Sequence, residues 1–81
     1  YGMYVSIDNR GTGIGKSLMI ELIRIAGEME GLEQLKLSVV SDNLPAKNLY
    51  SAVGFETYGV ERNALKFNGT YYDEELMVLY L

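Results

Sequence analysis

Arg10, Gly11, Thr12, Gly13, Ile14, Gly15 and Lys16 form one unbroken run whose residue types suit the holding of a phosphate. Glycine lets a backbone approach an anion closely and takes positive φ at little cost. The run follows an extended apolar stretch (Met3, Tyr4, Val5, Ile7) and opens an amphipathic segment at Ile14, so it predicts a turn between a strand and a helix N-terminus. The first N–H groups of a helix have no partner inside it, and they point outward from the positive end of its dipole. Arg10 and Lys16 add positive charge. The chemistry this spacing points to is the seating of a phosphorylated ligand.

The elements that would position the loop are legible from periodicity. Met3 to Ile7 predicts a short strand, left through a turn at Asp8 to Gly11. From Ile14 to Glu30, Ile14, Leu18, Leu22, Ile25 and Met29 recur at helical spacing, with Met19, Ile20 and Ile23 widening the apolar stripe and Gly31 at the expected C-terminal stop. Leu35, Leu37 and Val39 alternate with Gln34, Lys36 and Ser38, the pattern of a strand. Ser41-Asp42-Asn43-Leu44-Pro45 is a helix start, with side-chain caps and proline in the first turn. A short helix then carries Ala46, Leu49, Tyr50 and Val53 and closes at Gly54. Phe55 to Val60 reads as a third strand, Asn68-Gly69 as a hairpin turn after Ala64 to Phe67, and Glu75 to Leu81 as a last strand. The expected fold class is α/β (α+β): a mixed twisted sheet in the order strand, helix, strand, helix, strand, strand, its first strands parallel and its last hairpin antiparallel.

Composition narrows the function classes. The 81 residues make one domain at most, and 48% apolar with 22% charged residues is ordinary for a globular chain. A formal charge of −4 argues against broad nucleic-acid binding. No apolar run is long enough to span a bilayer. Cysteine and histidine are absent, which removes the thiol nucleophile, the commonest general base and the commonest metal ligand. The expectation is a cytoplasmic protein with no metal, no nucleic-acid partner and no membrane partner.

Three readings compete for the loop. A dinucleotide fingerprint would need a third glycine where Lys16 stands. A Walker A loop matches Gly15-Lys16-Ser17 but needs a glycine at the position of Arg10. The third fits throughout: Arg10-Gly11-Thr12-Gly13-Ile14-Gly15 matches the [Gln/Arg]-x-x-Gly-x-[Gly/Ala] loop of the GNAT superfamily of acyl-CoA N-acyltransferases. Asn43-Leu44-Pro45-Ala46-Lys47-Asn48-Leu49-Tyr50, followed by Gly54-Phe55, is similar to that superfamily's second landmark. The resemblance aligns residues 1–81 with the C-terminal part of the family's domain, from its fourth strand onward, so half of an acyl-CoA N-acyltransferase fold is expected. Ile7 departs from the family by standing where many members carry proline.

The resemblance implies roles for named residues. The loop from Arg10 to Lys16, with Gly11, Thr12, Gly13, Ile14 and Gly15, would cradle the pyrophosphate of coenzyme A, and Met3 and Val5 would pair their backbones with the pantetheine arm. Asn43 would bind the end of that arm or cap the second helix. Lys47 and Asn48 would face the coenzyme, and for Lys47 a solvated surface role stands beside this. Tyr50 would protonate the departing thiolate, or else it is a core tyrosine. Glu56, Glu61 and Asp73 to Glu75 are candidates for general base by charge alone. The implied function is direct transfer of an acetyl group from acetyl-CoA to a primary amine, on a small molecule or a peptide. The alternative is a non-catalytic acyl-CoA-binding or interaction module. With its first strand lacking an upstream neighbour, the chain is also expected to self-associate, as a homodimer through the exposed sheet edge.

Overall fold

The computed structural model describes residues 1–5 and 15–81. The expected strand end at Ile7 and the loop residues Arg10, Gly11, Thr12, Gly13 and Ile14 lie outside the described residues.

The period-two stretch becomes the central strand. In chain order the elements are β1 (Gly2–Tyr4), α1 (Lys16–Gly27), β2 (Gln34–Val40), α2 (Leu44–Ala52), β3 (Glu56–Phe67) and β4 (Thr70–Tyr80). They form one four-stranded sheet in the order β1-β2-β4-β3. β1 lies parallel to β2, with Tyr4 opposite Lys36, and β4 runs antiparallel to both β2 and β3. The mixed sheet and the strand–helix alternation are thus as the periodicity implies. The last strand, however, inserts between β2 and β3, an arrangement that hydrophobic patterning does not specify.

Both helices pack on one face. Leu35, Leu37 and Val39 of β2 are buried there with Met77 of β4, Met19 and Ala26 of α1, and Tyr50 of α2. The buried stripe of α1 differs from the expected one. Met19 and Ala26 are buried and Leu22 and Ile23 half-buried, whereas Leu18, Ile25 and Met29 of the predicted stripe are exposed. Because α1 is apolar around most of its circumference, two stripes about 90° apart compete at ~100° per residue. The small Ala26 lies on the buried one, where it lets the helix approach the sheet closely.

The hairpin also departs from its expected limits. What reads as two separate strand segments is one strand, β3, interrupted by register shifts between Thr57 and Gly59 and between Glu61 and Leu65. Asn63, at φ 53°, sits in the second irregularity, its N–H donating to Asp73 Oδ1 at 2.9 Å. The turn itself is as expected: Asn68 and Gly69 both have positive φ, 49° and 77°, as a type I′ turn demands.

Gly54 ends α2 at φ +112°, and a β-carbon there would lie 2.8 Å from Leu79 Cδ1. Gly54→Ala is therefore expected to cost about 1–3 kcal/mol through backbone strain, read as a lower urea midpoint with an unchanged slope; an unchanged midpoint would contradict this.

Candidate active site at the carboxyl ends of the parallel strands

In α/β sheets ligands gather outside the carboxyl ends of parallel strands, and here four features meet at that end. The first is the start of α1. A helix joining two parallel neighbours runs back antiparallel to them, and the ~18 Å of α1 is comparable to the ~23 Å of β2. Its N-cap is Gly15, in an extended conformation, with no side-chain hydrogen bond capping the helix and no acidic residue in its first turn. Among the described residues the helix start therefore has no built-in anion. Lys16, the first helical residue, lines a groove of about 230 Å³ with Ile20 and Ile23 of α1 and Ala52 and Val53 of α2.

The second feature is a divergence of β1 from β2. Val5 N–H donates to Lys36 C=O at 2.7 Å, and among the described residues the β1–β2 pairing ends there. Met3 sits inside the ladder, in register with Leu35. Strand alternation turns the backbone groups of Ser38 and Val40 toward the same side as those of Lys36, beyond that last pairing. Val40 C=O is taken by Asn43 N–H at 2.9 Å.

The third is α2. Asn43 is its N-cap, Oδ1 accepting from Ala46 N–H at 3.3 Å, so the capping role is present. Tyr50 is 1% exposed, edge-on to Phe55 with ring centroids 6.1 Å apart. Burial pushes its phenol up from the ordinary value of 10.0, so the proton stays on the oxygen through neutral pH. Among the described residues no hydrogen-bond partner of that hydroxyl is found. Asn48 is exposed on the same helix.

The fourth is an ion pair that the spacing of the sequence does not reveal. Lys47 Nζ lies 2.5 Å from Glu75 Oε2 and donates to Ser41 C=O at 3.0 Å, while Thr57 Oγ1 donates to Glu75 Oε1 at 3.1 Å. Three elements, α2, β3 and β4, are tied at one carboxylate. The hydrogen bond from Lys47 holds the Glu75 carboxyl below its ordinary value, assisted by Thr57 and opposed by partial burial. Such a carboxylate is a weak base, and Lys47 is an internal tie rather than a solvated surface lysine. The signal that would have found the pair is the antiparallel register placing Glu75 opposite Val39, which requires knowing that β4 inserts beside β2.

A further cross-strand contact joins residues that sequence patterning leaves unremarked: Tyr4 O–H donates to Ser38 Oγ at 2.7 Å. Glu56 and Glu61, the other carboxylates considered for the base, are exposed on the edge strand.

With this geometry in place, comparison with known proteins decides the family. The family described as acetyltransferase (GNAT) domain matches residues 2–76. The chain belongs to the GNAT acetyltransferase family. It is 30% identical over 77 residues to the L-amino acid N-acetyltransferase AaaT of Escherichia coli (strain K12), covering 95% of this chain and 48% of that protein. The chain thus spans about half the length of this GNAT relative. Among solved structures, the GNAT acetyltransferase of Streptococcus pneumoniae superposes at TM-score 0.79 with 30% identity, over 90% of this chain and 43% of that one. Arabidopsis thaliana NAA60 in complex with acetyl-CoA superposes at TM-score 0.82 over 98% of this chain and 48% of that one, and at 24% identity it shows the shared GNAT fold.

The pH dependence of the Glu75 tie has a definite sign. A carboxyl whose folded-state pKa is lowered contributes stability above its unfolded value, ordinarily 4.5, and loses it as pH falls through the folded one. Glu75→Gln is expected to destabilise by about 1–3 kcal/mol at pH 7, and the gap from wild type should close toward pH 3. Thermal melts across that range would show a constant gap if the ion pair contributed nothing.

Proposed function

We propose that the domain transfers an acetyl group from acetyl-CoA to a primary amine. The observation carrying this reading is an uncapped helix start and a strand divergence at one end of the sheet, with a buried, protonated tyrosine in the core under the same strand. The donor set suits the coenzyme. Arg10, Gly11, Thr12, Gly13 and Ile14 by sequence, with Gly15 and Lys16 at the start of α1, would hold the pyrophosphate through backbone N–H groups and two cations. The carbonyl of Val5 and the backbone N–H groups of Ser38 and Val40 face the divergence, where a pantetheine arm would lie beside Met3 and Val5 as an added strand. Asn43, Lys47 and Asn48 stand along the start of α2; Asn43 serves first as a cap and Lys47 as the tie to Glu75.

Bound acetyl-CoA supplies the acetyl group as an activated thioester. Tyr50 gives its phenolic proton to the sulfur as the C–S bond breaks and the amine nitrogen completes the C–N bond. The proton that the nitrogen sheds passes to water, and Tyr50 is reprotonated from solvent. These 81 residues hold no cysteine, so none of them offers a thiol for an acyl-enzyme, and the reading adopted is direct transfer. The E. coli relative is named for L-amino acids, and an amine acceptor of that size, or a peptide, fits this reading. We also infer a homodimer in the cytoplasm, formed by the protein through the sheet edge at β1, where the backbone groups of Gly2 and Tyr4 face away from β2.

Two variants of the full-length protein test the function together. Acetyl-CoA at a hundredfold excess over its dissociation constant should stabilise wild type by about 2.7 kcal/mol, and Gly13→Val should remove that gain. Tyr50→Phe should keep the gain while turnover falls by roughly 10²–10⁴. Equal stabilisation by ATP with magnesium would favour a phosphate-binding loop of another kind. A loss of turnover under about threefold would return Tyr50 to a packing role.

A further inference from the structure

The Tyr50 phenol takes its place from its helix rather than from its own tip. Among the described residues its hydroxyl has no hydrogen-bond partner, and its ring is steadied by the edge-on contact with Phe55. α2 is short, nine residues, and Tyr50 is its one fully buried side chain. Ala46, Leu49 and Val53 pack against the core only in part. Apolar contact is non-directional, so it secures the burial of such a helix more firmly than its axial position.

Directional contacts set that position. Behind the tyrosine, Phe55 N–H donates to Tyr50 C=O at 2.9 Å. Ahead of it, Lys47 stands three residues before Tyr50, on the adjoining face of the helix. Its ammonium is shared between the Glu75 carboxylate on β4 and the C=O of Ser41, which follows directly on β2. Ser41 N–H donates in turn to Asp73 C=O at 2.9 Å, and Thr57 of β3 donates to Glu75. The ammonium thus joins the end of β2, β4 and the helix of Tyr50 at one point. The two side chains are 23% and 17% exposed, so the pair is shielded from solvent and salt far more than a surface pair. The end of β2 held in this way is also the part that carries Ser38 and Val40, whose N–H groups face the opening.

We propose that Lys47 and Glu75 are positioning residues for the leaving-group step. They fix the distance between the Tyr50 hydroxyl and the opening beside β2, so protonation of the sulfur depends on the pair while acetyl-CoA binding does not. The inference rests on the acetyltransferase reading. Neither residue touches substrate in this arrangement. An ammonium and a carboxylate already paired with each other have little left for an anion or a proton, and what they contribute to rate is geometry. Displacing a reacting group by about 1 Å can cost on the order of a hundredfold in rate.

The test is a mutant cycle in the full-length protein, following release of the coenzyme A thiol. The acceptor is the amine that wild type uses best from a panel of amino acids, polyamines and a peptide with a free amino terminus. Lys47→Met is expected to lower kcat by about ten- to a hundredfold, with KM for acetyl-CoA and for the amine within about threefold of wild type. Lys47→Arg, which keeps the charge and both contacts, should hold kcat within about threefold of wild type. Placed in Tyr50→Phe, Lys47→Met should cost less than about threefold, because no hydroxyl is left to position. Where Lys47→Met alone does not fold, Lys47→Met with Glu75→Leu replaces the pair by apolar side chains that keep the fold, and it carries the same comparison. Absence of acetyl-CoA binding, or of turnover with every amine of the panel, would overturn the acetyltransferase reading itself. Acetyl-CoA turnover with an equal loss in wild type and in Tyr50→Phe, with a loss confined to KM, or with no loss would overturn the positioning role alone.

Discussion

The molecule is organised by how β2 is paired. Over its first half it is hydrogen-bonded on both sides, to β1 and to β4, and beyond Lys36 it continues with β4 alone among the described residues. A central strand with one side opened presents N–H and C=O groups that need partners, and an extended ligand arm can supply them. The buried half of the strand makes this opening affordable: Leu35, Leu37 and Val39 lie under both helices and fix its position. The start of α1, the cap of α2 and Tyr50 take their places from that packing.

Different interactions hold the two sides of the opening. On the helix side, Lys47 and Glu75 tie α2 to the hairpin, so the helix carrying Tyr50 is clamped by a half-buried charge pair as well as by apolar contact. A pair of this kind adds little net stability but penalises alternative placements of the helix. On the open face the contacts are hydroxyl to hydroxyl and cation to ring, Tyr4 with Ser38 and Lys36 with Tyr58. These are weaker and more exposed.

How much of this the sequence foretold depends on whether a feature is local. The type I′ turn at Asn68-Gly69, the Asn43 cap with Pro45 behind it and the alternation through β2 are set by a few adjacent residues, and all were legible. The loop motif and the Asn43 to Phe55 landmark were legible too, because a family's chemistry restricts residue types at fixed spacing; the match over residues 2–76 agrees with them. The buried stripe of α1 was misplaced because Leu18, Ile25 and Met29 are as apolar as the residues the sheet covers, and only tertiary contact chooses between them. The Lys47–Glu75 tie and the Tyr4–Ser38 bridge join elements distant in sequence, with partners 28 and 34 residues apart, and the first also needs β4 threaded between β2 and β3. No local pattern encodes that threading.

The central claim is that one ligand spans the start of α1 and the opening beside β2. Amide hydrogen exchange of the full-length protein, with and without saturating acetyl-CoA, tests it most directly. The expected result is slowed exchange at the amides of Gly11 to Lys16 and of Ser38 and Val40, with the Asn68-Gly69 turn unchanged. Exchange slowed only along the β3–β4 hairpin, with residues 11–16 indifferent to the ligand, would contradict the account.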